Sequence, residues 1–222
     1  FSSRRRHTRS CLVSWAREMC IRDRDITEGE ENECEQLMYA LILSGLAMQM
    51  IGNSRPASCA EHQVTHLWDM EVINGPLDAL HGEKVSVAAL LVLEEYKRIA
   101  AAITQGRCHA KPYENEDEEL LKETFGKKGL LEEIRKENEP ELLETISPQH
   151  LEKCLNGIEE IIDELPSEQT MFRLLEKAGC AKTVYDIGLD ESAVLPSLRL
   201  APYTRRRLSL LRISKMLDIR GE

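Results

Sequence analysis

Apolar residues recur along most of the chain at the three- and four-residue spacing that places them on one face of a helix. Broad apolar coverage from Glu30 to Met50 predicts a buried helix. Ser58 is a suitable N-cap for a second helix, from Cys59 to about Glu71. A third helix is predicted from Leu77 to Ala102, directly after an Asn-Gly-Pro turn.

Shorter amphipathic stretches in the second half of the chain predict further helices. They span Leu120 to Phe125, Leu130 to Lys136, Pro148 to about Glu164, Ser167 to Ala178, and Ser192 or Leu195 to Leu217 with a break at Pro202. No stretch alternates apolar and polar residues over a length useful for a strand. The pattern therefore predicts an all-α fold, a helical bundle.

Charge and composition argue against several classes of protein. The 222 residues carry a formal charge of −10, which argues against partners such as nucleic acid or an anionic membrane. No apolar run approaches the roughly 20 residues that span a bilayer. The seven cysteines are dispersed and odd in number, which is typical of reduced thiols and predicts a cytoplasmic protein.

The first 24 residues differ from the rest of the chain. Seven arginines and two acidic residues give them a charge of +5, so the remainder carries −15. A basic tail is one interpretation of this stretch. The run from Trp15 to Arg24 resembles instead a translated sequencing adapter, which indicates that residues 1–24 are non-native. We therefore expect a single helical, metal-binding domain over residues 25–222, with the native N-terminal part missing.

Three of the six histidines fall within twenty residues, at His62, His66 and His81. His62 and His66 are spaced i, i+4, so a helix would place both imidazoles on one face. Neutral imidazoles that converge on one point are typical ligands of zinc, nickel or iron(II). An isolated HxxxH is more often two ordinary polar residues, but the nearby His-Gly-Glu run at His81 favours a metal site.

A metal held by His62 and His81 needs at least one further ligand, usually a carboxylate. Glu61 neighbours His62 on the helix and is expected to point elsewhere, so the third ligand is expected to lie outside this sequence. Arg55 lies just before the same helix, where its guanidinium can pair with a phosphate or carboxylate. Ser54 and Ser58 would assist it, together with the free amides of the helix N-terminus.

Several of these runs carry a resemblance to a known family. The runs are Ser44 to Ala47, Gly52 to His62, His66 to Met70 and Leu80 to Val85, with a weaker match at Leu198 to Leu208. They resemble sn-glycerol-1-phosphate dehydrogenase, in its bacterial branch. That family is part of the superfamily of iron-containing alcohol dehydrogenases, glycerol dehydrogenases and dehydroquinate synthases. The resemblance is strong from about Leu37 to Tyr96 and absent from residues 1–24.

The resemblance implies a two-domain enzyme of which this chain is the C-terminal helical part. In the family, a Rossmann-like N-terminal domain binds NAD(P)H, and nothing in this sequence matches its glycine-rich loop or the metal-binding aspartate. By resemblance, His62 and His81 match the metal ligands, and His66 matches the histidine that contacts substrate and assists proton transfer. The family usually has Gly where Cys59 stands and often His where Gln63 stands.

The implied reaction is reduction of dihydroxyacetone phosphate to sn-glycerol 1-phosphate, a step of phospholipid metabolism, by a homodimer when full length. The fragment alone is expected to be inactive. One alternative within the superfamily is a dehydrogenase of glycerol or another small alcohol, and the anion cradle around Arg55 argues against it. A second alternative is a helical binding module without catalysis. The tract Arg205 to Arg207 is interpreted as a surface or interface feature.

Overall fold

The computed structural model describes residues 31–54 and 57–220. The predicted non-native segment 1–24 and the side chain of Arg55 lie outside these residues. The chain divides into two compact units. The first comprises Phe1–Ser58 and Glu164–Cys180, and the second comprises Cys59–Asp163 and Ala181–Glu222. The histidine cluster belongs to the second unit.

The described residues are mainly helical, as predicted. The α-helices are α1 (Glu31–Ile51), α2 (Ala60–Asp69), α3 (His81–Thr104), α4 (Glu118–Gly126), α5 (Leu131–Glu137), α6 (Pro148–Asp163), α7 (Glu168–Lys177), α8 (Val194–Leu200) and α9 (Leu210–Ile213). Short 3-10 helices span Leu143–Thr145, Val184–Ile187, Glu191–Ala193, Ala201–Thr204 and Ser214–Met216. Two strands, β1 (Cys108–Ala110) and β2 (Leu217–Ile219), complete the fold.

In the first unit, the extent of α1 agrees with the predicted helix, but the expectation that it is buried is wrong. Met50 is 86% exposed, and Tyr39 and Leu41 are 60% and 58% exposed. Ala40 is a buried side chain on this helix. The apolar content of α1 therefore predicted the helix correctly and its environment incorrectly.

The start of α7 in the same unit follows its local sequence. The Ser167 hydroxyl occupies the N-cap and accepts a hydrogen bond from the Thr170 N–H at 3.2 Å. Gly179 follows the helix with a φ of 70°, the left-handed conformation that glycine adopts most readily at a helix end. The helix was predicted from Ser167 to Ala178, which agrees with the observed span.

The main core of the second unit forms where α2 packs against α3 and against the segment of α8 and the following 3-10 helix. α2 is amphipathic, and its buried face includes Val64 and Leu67, which are fully buried, and Trp68, which is 1% exposed. Val87 and Ala88 of α3 face the same core. The Trp68 indole N–H donates to the Ser197 hydroxyl at 2.7 Å, which gives the buried indole its hydrogen-bond partner.

A second core cluster lies at the other end of α3, around Ile99 and Ile103. It includes Leu151 and Leu155 of α6 and the two short strands. β1 pairs antiparallel with β2, with Cys108 opposite Ile219 and Ala110 opposite Leu217. The sequence pattern did not predict this pair, because three-residue strands are too short to show an alternating pattern.

The two helices that carry the histidines begin later than predicted. Cys59, and not Ser58, occupies the N-cap of α2, and the first helical residue is Ala60. α3 begins at His81, and the Glu83 carboxylate accepts a hydrogen bond from the Leu80 N–H at 2.7 Å. His81 is therefore the first residue of its helix, where its side chain reaches back towards α2.

The predicted C-terminal helix is also divided differently. The chain passes from α8 into the 3-10 helix Ala201–Thr204, and Arg205 is extended, with φ −148° and ψ 134°. Residues 205–209 then separate this segment from α9. The break therefore falls at Arg205 and not at Pro202, which lies inside the 3-10 helix. Within residues 31–54 and 57–220, no helix combines the length and apolar character needed to cross a membrane.

A buried ionic cluster joins the loop before α4 to the C-terminal segments. Asp117 has a 7% exposed side chain and accepts hydrogen bonds from Arg199 and Lys215. The Tyr203 hydroxyl donates to the same carboxylate at 3.2 Å. Burial raises the pKa of Asp117, but Lys215 and Arg199 outweigh it and hold that pKa below its usual value. Burial lowers the pKa of Lys215 despite the attraction of the carboxylate.

We predict that Asp117→Asn lowers the free energy of unfolding at neutral pH by about 3 kcal/mol, because it leaves the buried Lys215 without its counter-charge. The folded-state pKa of Asp117 is lower than 3.8, so its stabilising contribution is complete above that pH and is lost as pH falls through the folded value. Denaturant unfolding of the unmodified protein and of Asp117→Asn, from neutral to acidic pH, should show that the difference in their free energies of unfolding becomes smaller as the pH falls. Asp78→Asn, at an exposed aspartate, is the control and should change the free energy of unfolding little. If the loss in Asp117→Asn were independent of pH, the ionised Asp117 carboxylate would not be its cause.

Candidate metal centre

Three histidine rings converge at the junction of α2 and α3. The ring centroids of His62 and His81 are 5.8 Å apart, those of His66 and His81 are 5.9 Å apart, and those of His62 and His66 are 6.5 Å apart. The sequence predicted that His62 and His66 lie on the same face of a helix, and the structure confirms this arrangement. It also brings His81 to the same point.

The packing of α2 explains why its histidines face outwards. Val64, Leu67 and Trp68 hold one face of the helix in the core. His62, His66 and Asp69 are spaced i, i+4 and i+7, so they fall on the opposite face. The rotation of α2 is therefore set by its apolar residues, and this rotation presents both imidazoles on the same side as His81.

Two carboxylates hold two of the three rings. The Glu61 carboxylate is 2.8 Å from Nδ1 of His62, and the Asp69 carboxylate is 3.2 Å from Nδ1 of His81. Lys84 forms an ion pair with the other oxygen of Asp69. A carboxylate at Nδ1 leaves Nε2 of the same ring available as a ligand atom and fixes the orientation of the ring. The expectation that Glu61 points away from His62 is therefore wrong.

The charges around the cluster favour ionised carboxylates and a neutral His66. Burial raises the pKa of Glu61, but hydrogen bonds from His62 and from the Cys59 N–H bring that pKa below its usual value. Burial likewise raises the pKa of Asp69, and Lys84 and His81 outweigh it. Burial lowers the pKa of His66, and the charge of Arg205 lowers it further. His66 makes no side-chain hydrogen bond with the part of the chain that the structure describes.

The donor set fits part of a metal site. A nitrogen ligand lies about 2 Å from a bound zinc ion, so two imidazoles on one ion have centroids within about 6 Å of each other. The pairs His62–His81, at 5.8 Å, and His66–His81, at 5.9 Å, both meet this limit. His62 and His81 are distinguished by their carboxylate partners at Nδ1, which leave Nε2 of each ring for the ion. His62 and His66 exceed the limit. Among the described residues, no group of three or more His, Cys, Asp or Glu side chains is arranged to hold a metal ion.

The predicted anion-binding residues belong to a different part of the structure. Arg55 lies outside the described residues. Ser54 and Ser58 belong to the first compact unit, whereas the histidines belong to the second. The Ser54 carbonyl accepts a hydrogen bond from the Ala57 N–H at 3.1 Å. A role for these three residues in binding an anion stays a prediction.

Sequence reasoning missed several residues that contact the cluster. Asp69 continues the His62 and His66 spacing by one more turn, so the i, i+4, i+7 pattern could have found it. Glu61 could have been found as the immediate neighbour of His62. Arg205 was interpreted as a surface residue, and no local pattern links it to a histidine 139 residues earlier.

The chain is similar in sequence to several known proteins. A protein of Geobacillus thermodenitrificans is 29% identical over 178 residues, which cover 80% of this chain and 37% of the relative. A protein of Halalkalibacterium halodurans is 33% identical over 197 residues, which cover 87% of this chain and 41% of the relative. A protein of Pyrococcus horikoshii is 41% identical over 75 residues, which cover 33% of this chain and 21% of the relative. No family model and no solved structure matches the chain.

All three relatives carry the name glycerol-1-phosphate dehydrogenase [NAD(P)+]. These names define a class of enzymes, the NAD(P)-linked dehydrogenases. More particularly, the chain is similar over most of its own length to members of the glycerol-1-phosphate dehydrogenase family. The chain spans about two fifths of the length of the first two relatives, which are 37% and 41% covered.

We predict that His62 and His81 are Nδ1–H tautomers when neutral, because each Nδ1 faces a carboxylate. Long-range ¹H–¹⁵N NMR of the metal-free chain at about pH 8, where unperturbed imidazoles are neutral, measures the tautomer directly. Glu61→Ala should change the tautomer balance of His62 alone, and Asp69→Ala that of His81 alone, so each variant controls for the other. An Nε2–H form at both rings of the unmodified chain would show that the carboxylates do not orient them.

Proposed function

We propose that the full-length protein is a metal-dependent glycerol-1-phosphate dehydrogenase that reduces dihydroxyacetone phosphate to sn-glycerol 1-phosphate with NAD(P)H. Similarity to relatives of that name supports the class of reaction. The pair His62 and His81, with ring centroids 5.8 Å apart and Nδ1 atoms held by carboxylates, carries the proposal of a metal. The described part of the chain corresponds in this proposal to the metal-binding domain of residues 25–222. The protein acts in the cytoplasm as a homodimer.

In this proposal His62 and His81 hold a divalent ion of zinc, nickel or iron through their Nε2 atoms. The third ligand and the nucleotide site come from the part of the protein that this sequence does not contain. When bound, the ion supplies Lewis-acid polarisation of the ketone oxygen, and the nicotinamide supplies the hydride. Glu61 and Asp69 keep the two ligand imidazoles oriented and increase their basicity.

His66 contacts the substrate and assists proton transfer to the oxygen of the new hydroxyl group. It lies one helical turn from His62 and 5.9 Å from His81 between ring centroids. Its lowered pKa keeps the ring neutral near pH 7, so it presents one N–H to a substrate oxygen without adding a charge to the site. As the N–H proton passes to the substrate oxygen, the other ring nitrogen takes a proton from solvent, so the ring stays neutral and changes tautomer.

Arg55, with Ser54 and Ser58, is proposed to bind the phosphate of the substrate. A guanidinium pairs with a phosphate through two parallel hydrogen bonds, and serine hydroxyls can complete the shell. The support for this role is the position of Arg55 directly before the helix that carries His62.

We predict that His62→Ala and His81→Ala each weaken zinc binding to the chain by about tenfold or more, because each removes a ligand. His66→Ala should weaken it much less. His150→Ala, which removes an imidazole on α6, is the matched control and should bind zinc like the unmodified chain. Isothermal titration calorimetry measures these affinities. Equal affinity in all variants would contradict the metal site, and an equally large loss in His66→Ala would contradict the division of roles.

We predict that Arg55→Ala in the full-length protein raises the KM for dihydroxyacetone phosphate by about tenfold or more, because a charge-assisted hydrogen bond to phosphate is lost. Steady-state kinetics should show no such change for unphosphorylated dihydroxyacetone, which lacks the group that Arg55 binds. An unchanged KM for the phosphorylated ketone would rule out this role. Equal use of both ketones by the unmodified enzyme would instead favour a small-alcohol dehydrogenase.

A further inference from the structure

Buried side chains hold the main chain of Arg205 against the histidine-bearing helix. Gln63, which is 2% exposed, lies between His62 and His66 on α2 and donates from Nε2 to the carbonyls of Arg205 and Pro202, at 3.2 Å and 3.5 Å. The Ser209 hydroxyl donates to Oε1 of Gln63 at 2.9 Å. One amide therefore binds both ends of the segment that contains Arg205.

Arg212 holds the same carbonyl from the other side. Its guanidinium is fully buried and donates to the Arg205 carbonyl at 3.3 Å. It also donates to the Asn138 side chain and, at 3.3 Å, to the Glu141 carboxylate. Asn138 in turn donates to the Tyr203 carbonyl at 2.7 Å. The position of Arg205 is thus fixed by a network of buried polar groups, which are costly to displace.

The side chain of Arg205 differs from that of its neighbour. Arg206 donates from Nε to the Pro140 carbonyl at 2.8 Å. The guanidinium of Arg205 is exposed and has no hydrogen bond or ion pair with the residues that the structure describes. The main chain of Arg205 lies against α2 through Gln63, the residue that follows His62. The charge of Arg205 is also one cause of the lowered pKa of His66.

The exposed guanidinium of Arg205 has no carboxylate partner among the described residues, and its main chain is held against the helix that carries His62 and His66. This makes Arg205 a place for an anion in a chain of formal charge −10. We propose that Arg205 binds the phosphate group of the substrate at this site, and that Gln63 and Arg212 are positioning residues that hold it there. The identity of the anion rests on the proposed function. The measurement of phosphate binding at Arg205 is independent of the role proposed for Arg55.

The probe for this proposal is inorganic phosphate, titrated into the metal-free chain at constant ionic strength and followed by the ring NMR signals of His62, His66 and His81. Phosphate should shift the His66 signals, and Arg205→Gln should weaken its binding by about tenfold, the effect of one charge-assisted hydrogen bond. Arg206→Gln removes the same charge from the neighbouring residue and should leave the affinity within about twofold. Equal affinities in the two variants, or no shift at His66, would overturn the role of Arg205.

The positioning role of Gln63 is tested by comparing the phosphate affinities of single and double variants. Gln63→Leu should weaken phosphate binding nearly as much as Arg205→Gln, and the double variant should lose little more, because both changes disable the same contact. A merely structural role for Gln63 would instead give additive losses in the double variant. If Gln63→Leu fails to fold, Ser209→Ala loosens the same amide more mildly and should show the same non-additivity, at smaller amplitude.

Zinc affinity of the same variants separates this proposal from the proposed function. Arg205→Gln should retain the zinc affinity of the unmodified chain, because it leaves His62 and His81 intact. Phosphate binding that depends on Arg205, without zinc binding that depends on the histidines, would support the anion site and contradict the metal-dependent function. Zinc binding that depends on the histidines, without phosphate binding that depends on Arg205, would contradict the anion site alone.

Discussion

The site depends on how α2 is buried. Val64, Leu67 and Trp68 are at most 1% exposed, and full burial of each such side chain stabilises the fold by about 1.5–3 kcal/mol. Because these residues can face the core in only one rotation of the helix, they determine where His62 and His66 point. A small rotation of α2 would expose the indole of Trp68, break its hydrogen bond to Ser197, and separate the histidines from His81.

The same helix carries a buried polar residue that joins it to the distant end of the chain. Gln63 is as buried as the apolar residues around it, so its amide must find partners within the protein. It finds them in the carbonyls of Pro202 and Arg205 and in the hydroxyl of Ser209. A neutral imidazole at this position would not replace the amide, because it has one N–H and cannot donate to two carbonyls at once.

The electrostatic arrangement around the histidines separates them by role. His62 and His81 each have a carboxylate at Nδ1, whereas His66 has none among the described residues, and burial and the charge of Arg205 lower its pKa. A carboxylate orients a ring and strengthens its other nitrogen as a ligand, and a neighbouring cation keeps a ring neutral. The cluster of three similar residues therefore contains two kinds of environment, and only the tertiary structure distinguishes them.

The sequence by itself determined most of the helices, since helix formation depends on apolar spacing and on capping residues such as Ser167 within a few positions. It also determined that His62 and His66 share a face. It did not determine that α1 has exposed apolar side chains, that the chain turns extended at Arg205, or that β1 pairs with β2. Nor did it link Asp69 to His81 or Gln63 to Arg205, which are 12 and 142 residues apart. Local periodicity specifies which face of a helix is apolar, but the partners of the polar face depend on how separate helices pack, and no short stretch of sequence contains that information.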